Sequence, residues 1–300
     1  MKVALLHSPE NTEIAHSLGK IITDNNCKVT YFDSGEVWKK ESYVNPLLIL
    51  ENASHLLYVS SSDINDFQTF LFFAGFALGK DIRLIVIEAE HTFKFPENTR
   101  HLGVFLELES FEDFFTAEIS RYHEQDKKNQ ARAILLERGI SCFDENFILI
   151  VSSGDAESVS LFLEAGFSPS LTDSRGTPLL SLAVRAQFPS VVSLLLKAGA
   201  DVNRLSLDRG YSPLMDAVQK GDVAIAKILL DHGADGNLKS KDSQTALIIA
   251  AGRGDIALCD LLVSKGSDPS IKDSLGMSAM SYATLFKNEK LLSLFNMSST

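Results

Sequence analysis

The rhythm of apolar and polar positions in this chain changes near residue 140. Before that point, short apolar runs alternate with longer segments of helical spacing. Val3-Ala4-Leu5-Leu6 is a continuous apolar run stopped by Ser8-Pro9-Glu10-Asn11, which predicts a buried strand. Residues Thr12–Asn25 carry Ile14, Ala15, Leu18 and Ile21 at the spacing of one helix face. Lys28–Phe32 alternates as a strand, Asn45–Ala53 predicts a short helix, and His55–Ser60 a strand ending in Ser60-Ser61-Ser62. Ile64–Lys80 predicts a long apolar helix closed by Gly79, Arg83–Glu88 and Gly103–Leu108 two further strands, and Phe111–Glu124 a helix.

Strands that alternate with helices imply a parallel sheet covered on both faces, and Leu84-Ile85-Val86-Ile87 is apolar enough for burial on two sides. Right-handed crossovers then favour a flavodoxin-like strand order. In such a sheet ligands bind beyond the carboxyl ends of the strands, where the order reverses. That rule points to Ser8 and Glu10 after the first strand and to Ser60, Ser61 and Asp63 after the third, as a possible nucleotide pocket.

From Cys142 to Phe295 the chain repeats itself about five times. A glycine follows a leucine-rich run at Gly166, Gly199, Gly233 and Gly266, a period of 33 or 34 residues. A period of this size means a solenoid of small supersecondary units. Within one unit, Ser212-Pro213 opens a short helix that is over by Gly221, with Ser212 as N-cap. Asp222 opens a second, with Ile225, Ala226, Ile228, Leu229 and Leu230 as its apolar stripe, and Gly233 ends it. Equivalent openings fall at Glu145, Pro178, Ser212, Thr245 and Ser278.

Gly-Ala-Asp-Val-Asn at Gly199–Asn203, Gly-Ala-Asp-Gly-Asn at Gly233–Asn237 and Gly-Ser-Asp-Pro at Gly266–Pro269 resemble the ankyrin repeat family. The resemblance implies an all-α solenoid over residues 143–297. It departs from the family at the Thr-Pro-Leu-His tetrad, whose histidine position holds Ile148, Ser181, Met215, Ile248 and Ser281, so apolar packing is expected where that side chain would bridge repeats. In this family hairpin tips and first helices line a concave face that binds a partner protein. By position those residues are Arg175, Arg185, Arg209, Tyr211, Gln219, Lys220, Lys241 and Arg253, six of them basic.

Residues 1–120 resemble TIR-like domains and, more loosely, nucleoside 2-deoxyribosyltransferase-like domains, through Tyr58–Ser62, Ala74–Lys80 and Arg83–Glu88. The enzymes of both families carry an essential glutamate on the third helix. Counting back from Lys80 lands on Leu71, the alternative spacing of two before Gly75 lands on Phe73, and no acid lies between Phe67 and Lys80. A hydrocarbon cannot act as a nucleophile. The resemblance therefore implies the scaffold without the activity. Residues 121–142 read as a charged helical connector whose Ala133, Leu135, Leu136 and Ile140 cap the first repeat, because a solenoid's outermost unit needs a cover. At the far end Leu291, Leu292, Leu294 and Phe295 predict a shortened helix, with a fraying tail at Asn296–Thr300.

Charge narrows the partners. The net charge is −11, with 14 basic against 21 acidic residues in 1–140 and 14 against 18 in 141–300. Neither half is a basic footprint, so no nucleic-acid partner is expected. Three distant cysteines, Cys27, Cys142 and Cys259, argue against a disulfide framework and suit a reducing cytoplasm. No run is long and apolar enough for a signal peptide or a membrane span, so no membrane is expected. The seven histidines show no metal-ligand spacing, and no metal, cofactor or catalytic residue is expected. His232, just before a helix-ending glycine, suits the macrodipole. The phenylalanines at 67, 70, 72, 73 and 76 read as core, with part of the cluster available to a second copy of the domain. The resulting expectation is a cytoplasmic, non-catalytic scaffold or adaptor. It binds a protein through the concave face, and its TIR-like domain supplies a second contact or self-association. The alternatives are an enzyme acting on NAD or a nucleoside, which would need Glu10 or Glu88 as its acid, or a nucleotide sensor regulated by the repeats.

Overall fold

A computed structural model describes residues 1–34, 50–60, 64–88 and 101–297, apart from the side chains of 64–68 and 297. The chain divides into two compact units, Met1–Asp126 and Lys127–Thr300.

In the first unit five parallel strands form one sheet: β1 (Lys2–His7), β2 (Lys28–Asp33), β3 (His55–Val59), β4 (Arg83–Glu88) and β5 (Val104–Glu107). Their spatial order is β2-β1-β3-β4-β5, the flavodoxin-like order expected from the sequence. The sheet reverses direction of growth between β1 and β3, where Leu5 pairs with Leu57. Alternation along the strands sends side chains to two cores. Ala4, Leu6, Leu56, Tyr58, Leu84 and Val86 face helix α2 (Ile64–Gly79), which contributes Phe70, Phe73, Ala74 and Ala77. Val3, Leu5, Leu57, Val59, Ile85 and Ile87 face α1 (Thr12–Asp24) and α3 (Phe111–Glu137), which contribute Leu18, Ile22, Phe111 and Phe115. The phenylalanine cluster is thus only partly core: Phe70 and Phe73 are buried, Phe76 is half-buried and Phe72 is exposed. The side chain of Phe67 is not described, and most of the helix expected at Asn45–Ala53 lies outside the described residues. Of that helix only Leu50 to Ala53 is seen, as a turn closed by Ala53 N–H to Leu50 O at 3.0 Å.

Helix α3 replaces two expected elements. No Gly or Pro interrupts Phe111 to Glu137, so the helix and the connector are one 27-residue helix. Its end packs through Ala131 and Leu135, which are four residues apart and share a face. Ala133 and Leu136, expected in the cap, point to solvent, because a 100° step per residue separates them from that face. Ile140 is half-buried against the repeat core.

The second unit is a stack of five helix pairs. The first helices are α4 (Asp144–Ser153), α6 (Leu179–Arg185), α8 (Pro213–Lys220), α10 (Ala246–Arg253) and α12 (Ala279–Leu285). The second are α5 (Ala156–Glu164), α7 (Pro189–Lys197), α9 (Val223–Asp231), α11 (Ile256–Ser264) and α13 (Glu289–Met297). Each first helix packs on the next first helix and each second on the next second. Helices this short are marginal alone and stand on capping and on stacking. Ser212, Thr245 and Ser278 accept from the N–H three residues on, at 3.3, 3.3 and 3.2 Å. Asp155, Asp222 and Asp255 do the same for second helices. Helix α4 opens at Phe143 rather than Glu145, and its N-cap makes no side-chain bond. Helix α13 continues through Asn296 and Met297, so the expected fraying does not begin at Asn296. Residues 298–300 lie outside the described residues.

Candidate docking face of the repeats

Each first helix turns into its partner at one residue in the left-handed conformation. The row is Gly154, Gln187, Gly221, Gly254 and Lys287. The residues just before it run Ser153, Ala186, Lys220, Arg253 and Phe286; one step earlier they run Ser152, Arg185, Gln219, Gly252 and Leu285. Except for the half-buried Arg185 and Ala186, this ridge is exposed. It grades from small and polar at the first repeat, through cationic in the middle, to apolar at the last.

Hairpins between the repeats stack beside it. Leu207 N–H donates to Gly176 O, Lys241 N–H to Arg209 O and Ser274 N–H to Asp242 O, at 3.1, 3.3 and 3.0 Å. The tip closes from Asp173 to Thr177, Ser240 to Gln244 and Asp273 to Met277, but from Ser206 to Tyr211. One additional residue in that hairpin makes its repeat 34 residues long instead of 33. Leu207, in the enlarged tip, and Leu275, in the last, are large exposed side chains.

Most of the eight residues expected to bind a partner are engaged within the solenoid. Arg185 Nε donates to Asp216 Oδ2 at 2.9 Å, and its terminal nitrogens reach Asp208 at 2.7 and 3.1 Å and Ser206 Oγ at 3.2 Å. Arg209 donates to Asp216 Oδ1 at 3.2 Å and lies over the Tyr211 ring, 4.7 Å from its centroid. Tyr211 itself is buried, its hydroxyl on Gln244 Oε1 at 3.3 Å. Asp216 is 1% exposed, and burial pushes its carboxyl above the usual range although two guanidiniums stand on it. The bond from Arg185 holds the Asp208 carboxyl well below that range. Arg175 closes on Asp173 within its own hairpin. Lys241 Nζ caps the carbonyls of Leu207 and Asp208 at 2.5 and 3.1 Å, and Arg253 donates to Gln219 O at 2.9 Å. Lys220 stays exposed and unpaired.

The repeats are also tied by bonds the sequence reading did not foresee. Asn203 Oδ1 accepts from Asp235 N–H at 2.9 Å and Asn237 Oδ1 from Asp268 N–H at 2.8 Å. Their Nδ2 groups reach Gly233 O and Gly266 O. At the position where the family places histidine, Met215 and Ile248 are buried apolar contacts, as expected. Ser181 instead buries a hydroxyl with no partner.

The expected nucleotide pocket takes a different form. Ser8 and Ser60 do meet at the switch point, but Asn11 sits between them. Its Nδ2 donates to Ser60 O at 2.6 Å and to Ser8 Oγ at 3.2 Å, and all three residues are buried. Glu10 is exposed on the short 3-10 turn Pro9–Asn11. Ser61 and Asp63 lie outside the described residues. Asn11 could have been found only as one of the three polar residues, Ser8, Glu10 and Asn11, that follow the first strand. Among the described residues no group of His, Cys, Asp or Glu could hold a metal ion, and no helix is long and apolar enough to cross a membrane.

Comparison with known proteins agrees with this stack. The ankyrin repeat model for three copies matches residues 147–240 and the single-repeat model matches 242–274. A Treponema pallidum (strain Nichols) protein described as ankyrin repeat-containing is 39% identical over 295 residues, 98% of this chain and 99% of that protein. This chain is an ankyrin repeat protein. The final pair, α12 and α13, extends the array beyond the matched residues. Human 2-5A-dependent ribonuclease is 41% identical over 73 residues, 24% of this chain but only 10% of the ribonuclease. Rat ankyrin repeat and SAM domain-containing protein 6 is 41% identical over 70 residues, 23% of this chain and 8% of that protein. Ankyrin repeats imply protein–protein interaction.

Proposed function

We propose that this protein is a non-catalytic scaffold or adaptor that binds a partner protein on the concave face lined by hairpin tips and first helices. The observation that carries the reading is the exposed ridge Lys220, Arg253, Leu285 and Phe286, flanked by Leu275 at a hairpin tip. A cation beside large apolar groups with no cover of their own is the composition of an interface anchor. Arg175, Arg185, Arg209, Tyr211 and Lys241 then act by holding helices and hairpins in place, more than by touching the partner, whereas Gln219 is exposed on the ridge beside Lys220.

The first unit serves in this reading as a TIR-like module without turnover. Support comes from the hydrocarbon side chains Leu71 and Phe73 where related enzymes carry an acid, and from Asn11 filling the switch point. It provides a second contact or self-association surface, and the reading places the protein in the cytoplasm. The test is affinity capture with the full chain beside the variant Lys220→Glu/Leu285→Asp/Phe286→Asp. These positions are exposed, so the fold should survive. The expected result is a partner retained by the wild type and lost by the variant. Equal capture by both would overturn the assignment of this face, and NAD or nucleoside cleavage by the pure protein would overturn the non-catalytic reading.

A further inference from the structure

Helix α3 carries a carboxylate where its apolar stripe should continue. Phe111, Phe115, Glu118 and Tyr122 follow one another on the face packed against the sheet, and Glu118 is 3% exposed. Both of its oxygens are used. Oε1 accepts from Arg83 Nε at 2.5 Å and faces His55 Nε2 at 3.3 Å; Oε2 accepts from Arg121 at 2.7 Å. His55 is itself buried, with Nδ1 on Ser54 Oγ at 2.9 Å, and burial lowers its pKa, so it stands neutral near pH 7. These groups line a cleft of about 640 Å³ at the amino ends of β3, β4 and β5, the edge of the sheet opposite to Asn11. That volume falls within the range of small-molecule sites, about 300–1,000 Å³.

A buried carboxylate held by two arginines gives little net stability, because desolvation offsets the attraction. What the arrangement does achieve is orientation. Each guanidinium uses one nitrogen on Glu118 and is otherwise partly exposed, 41% for Arg83 and 60% for Arg121. Their remaining N–H groups are thereby held in the cleft wall, where an incoming carboxylate can accept from a guanidinium fork. Arg83, Arg121 and Glu118 together carry one net positive charge. Asp81, exposed in the same wall, balances it and disfavours a polyanion. Leu78, Ile82, Leu84, Leu102 and Val104 supply an apolar side.

We propose that this cleft binds a small organic monocarboxylate, its carboxylate on Arg83 and Arg121 and its hydrocarbon body against Leu78, Ile82 and Leu84. The test is calorimetric titration and thermal unfolding of the full chain with acetate, butyrate and benzoate, with inorganic phosphate as a separate arm and ionic strength matched by chloride. Affinity should rise from acetate to benzoate as more apolar surface is covered. Arg121→Gln leaves Glu118 its partners Arg83 and His55. It should bind benzoate on the order of ten- to a hundredfold more weakly, the value of a charge-assisted bond. Leu78→Gln, at an exposed position, should weaken benzoate and leave acetate unchanged. A cluster that merely ties the helix to the sheet would change the unfolding temperature in Arg121→Gln without any carboxylate dependence. That result overturns the proposal, as would tighter binding of phosphate than benzoate or benzoate binding unaffected by Arg121→Gln.

Discussion

Replacing Arg185 by methionine separates a brace from a docking residue. In the folded chain Arg185 and Arg209 share the carboxylate of Asp216, which has almost no contact with water. The methionine keeps most of the volume and removes the charge. Removing one partner of a buried pair costs about 3–5 kcal/mol. Arg209 remains within 3.2 Å of Oδ1 but is half exposed, so the lower end, about 3 kcal/mol, is expected near pH 7. Burial already raises the Asp216 pKa, and losing Arg185 raises it further. A carboxyl with a raised folded pKa binds protons more tightly in the native state than in the unfolded one, so stability falls as pH rises through that pKa. The deficit should therefore shrink between about pH 7 and about pH 5. Arg185→Met/Asp216→Leu removes the buried carboxylate together with its partner and should recover most of that deficit, apart from the lost bonds to Asp208. Urea titrations followed by circular dichroism at both pH values read these differences through the transition midpoint. Wild-type stability of Arg185→Met at both pH values would refute the reasoning and return Arg185 to the set of free docking cations.

Gln187 holds a left-handed conformation, φ 60°, where three of the other four repeats have glycine, so Gln187→Gly should raise stability by about 1 kcal/mol in thermal unfolding. At the equivalent Gly154 an added Cβ would lie 2.6 Å from the Phe188 ring, and Gly154→Ala should cost about 1–3 kcal/mol in the same assay. Asn237→Ala removes the acceptor of Asp268 N–H and the donor to Gly266 O; a loss of about 1–2 kcal/mol and faster hydrogen exchange at the Asp268 amide are expected. Because Arg185 depresses the Asp208 pKa, its share of stability is present above about pH 4 and is lost as pH falls toward the folded pKa. Acid unfolding of Asp208→Asn should lack that part of the slope.

The repeats were legible because their information is local. Gly166, Gly199, Gly233 and Gly266 end helices through their own backbone, and Ser212 or Asp222 caps a helix three residues away, so spacing along the chain reports structure directly. The parallel sheet was legible for a related reason: a strand such as Leu84-Ile85-Val86-Ile87, apolar on both faces, has to be covered on both. Helix α3 was split in two because a change from apolar to charged residues looks like a boundary, although nothing in the backbone stops there.

What the sequence could not decide was the use of each charge. Arg185 and Lys220 look alike as letters on a first helix, yet one closes on Asp208 and Asp216 and the other meets water. The difference depends on which acids lie within about 3 Å across a repeat, a distance that no local pattern encodes. The same holds for Glu118 and Asn11. Composition alone assigns a glutamate and a polar strand-end residue to the surface. Only the packed sheet brings Arg83 and His55 to the one, and Ser60 to the other, because the free energy of a buried polar group is set by partners distant in the chain.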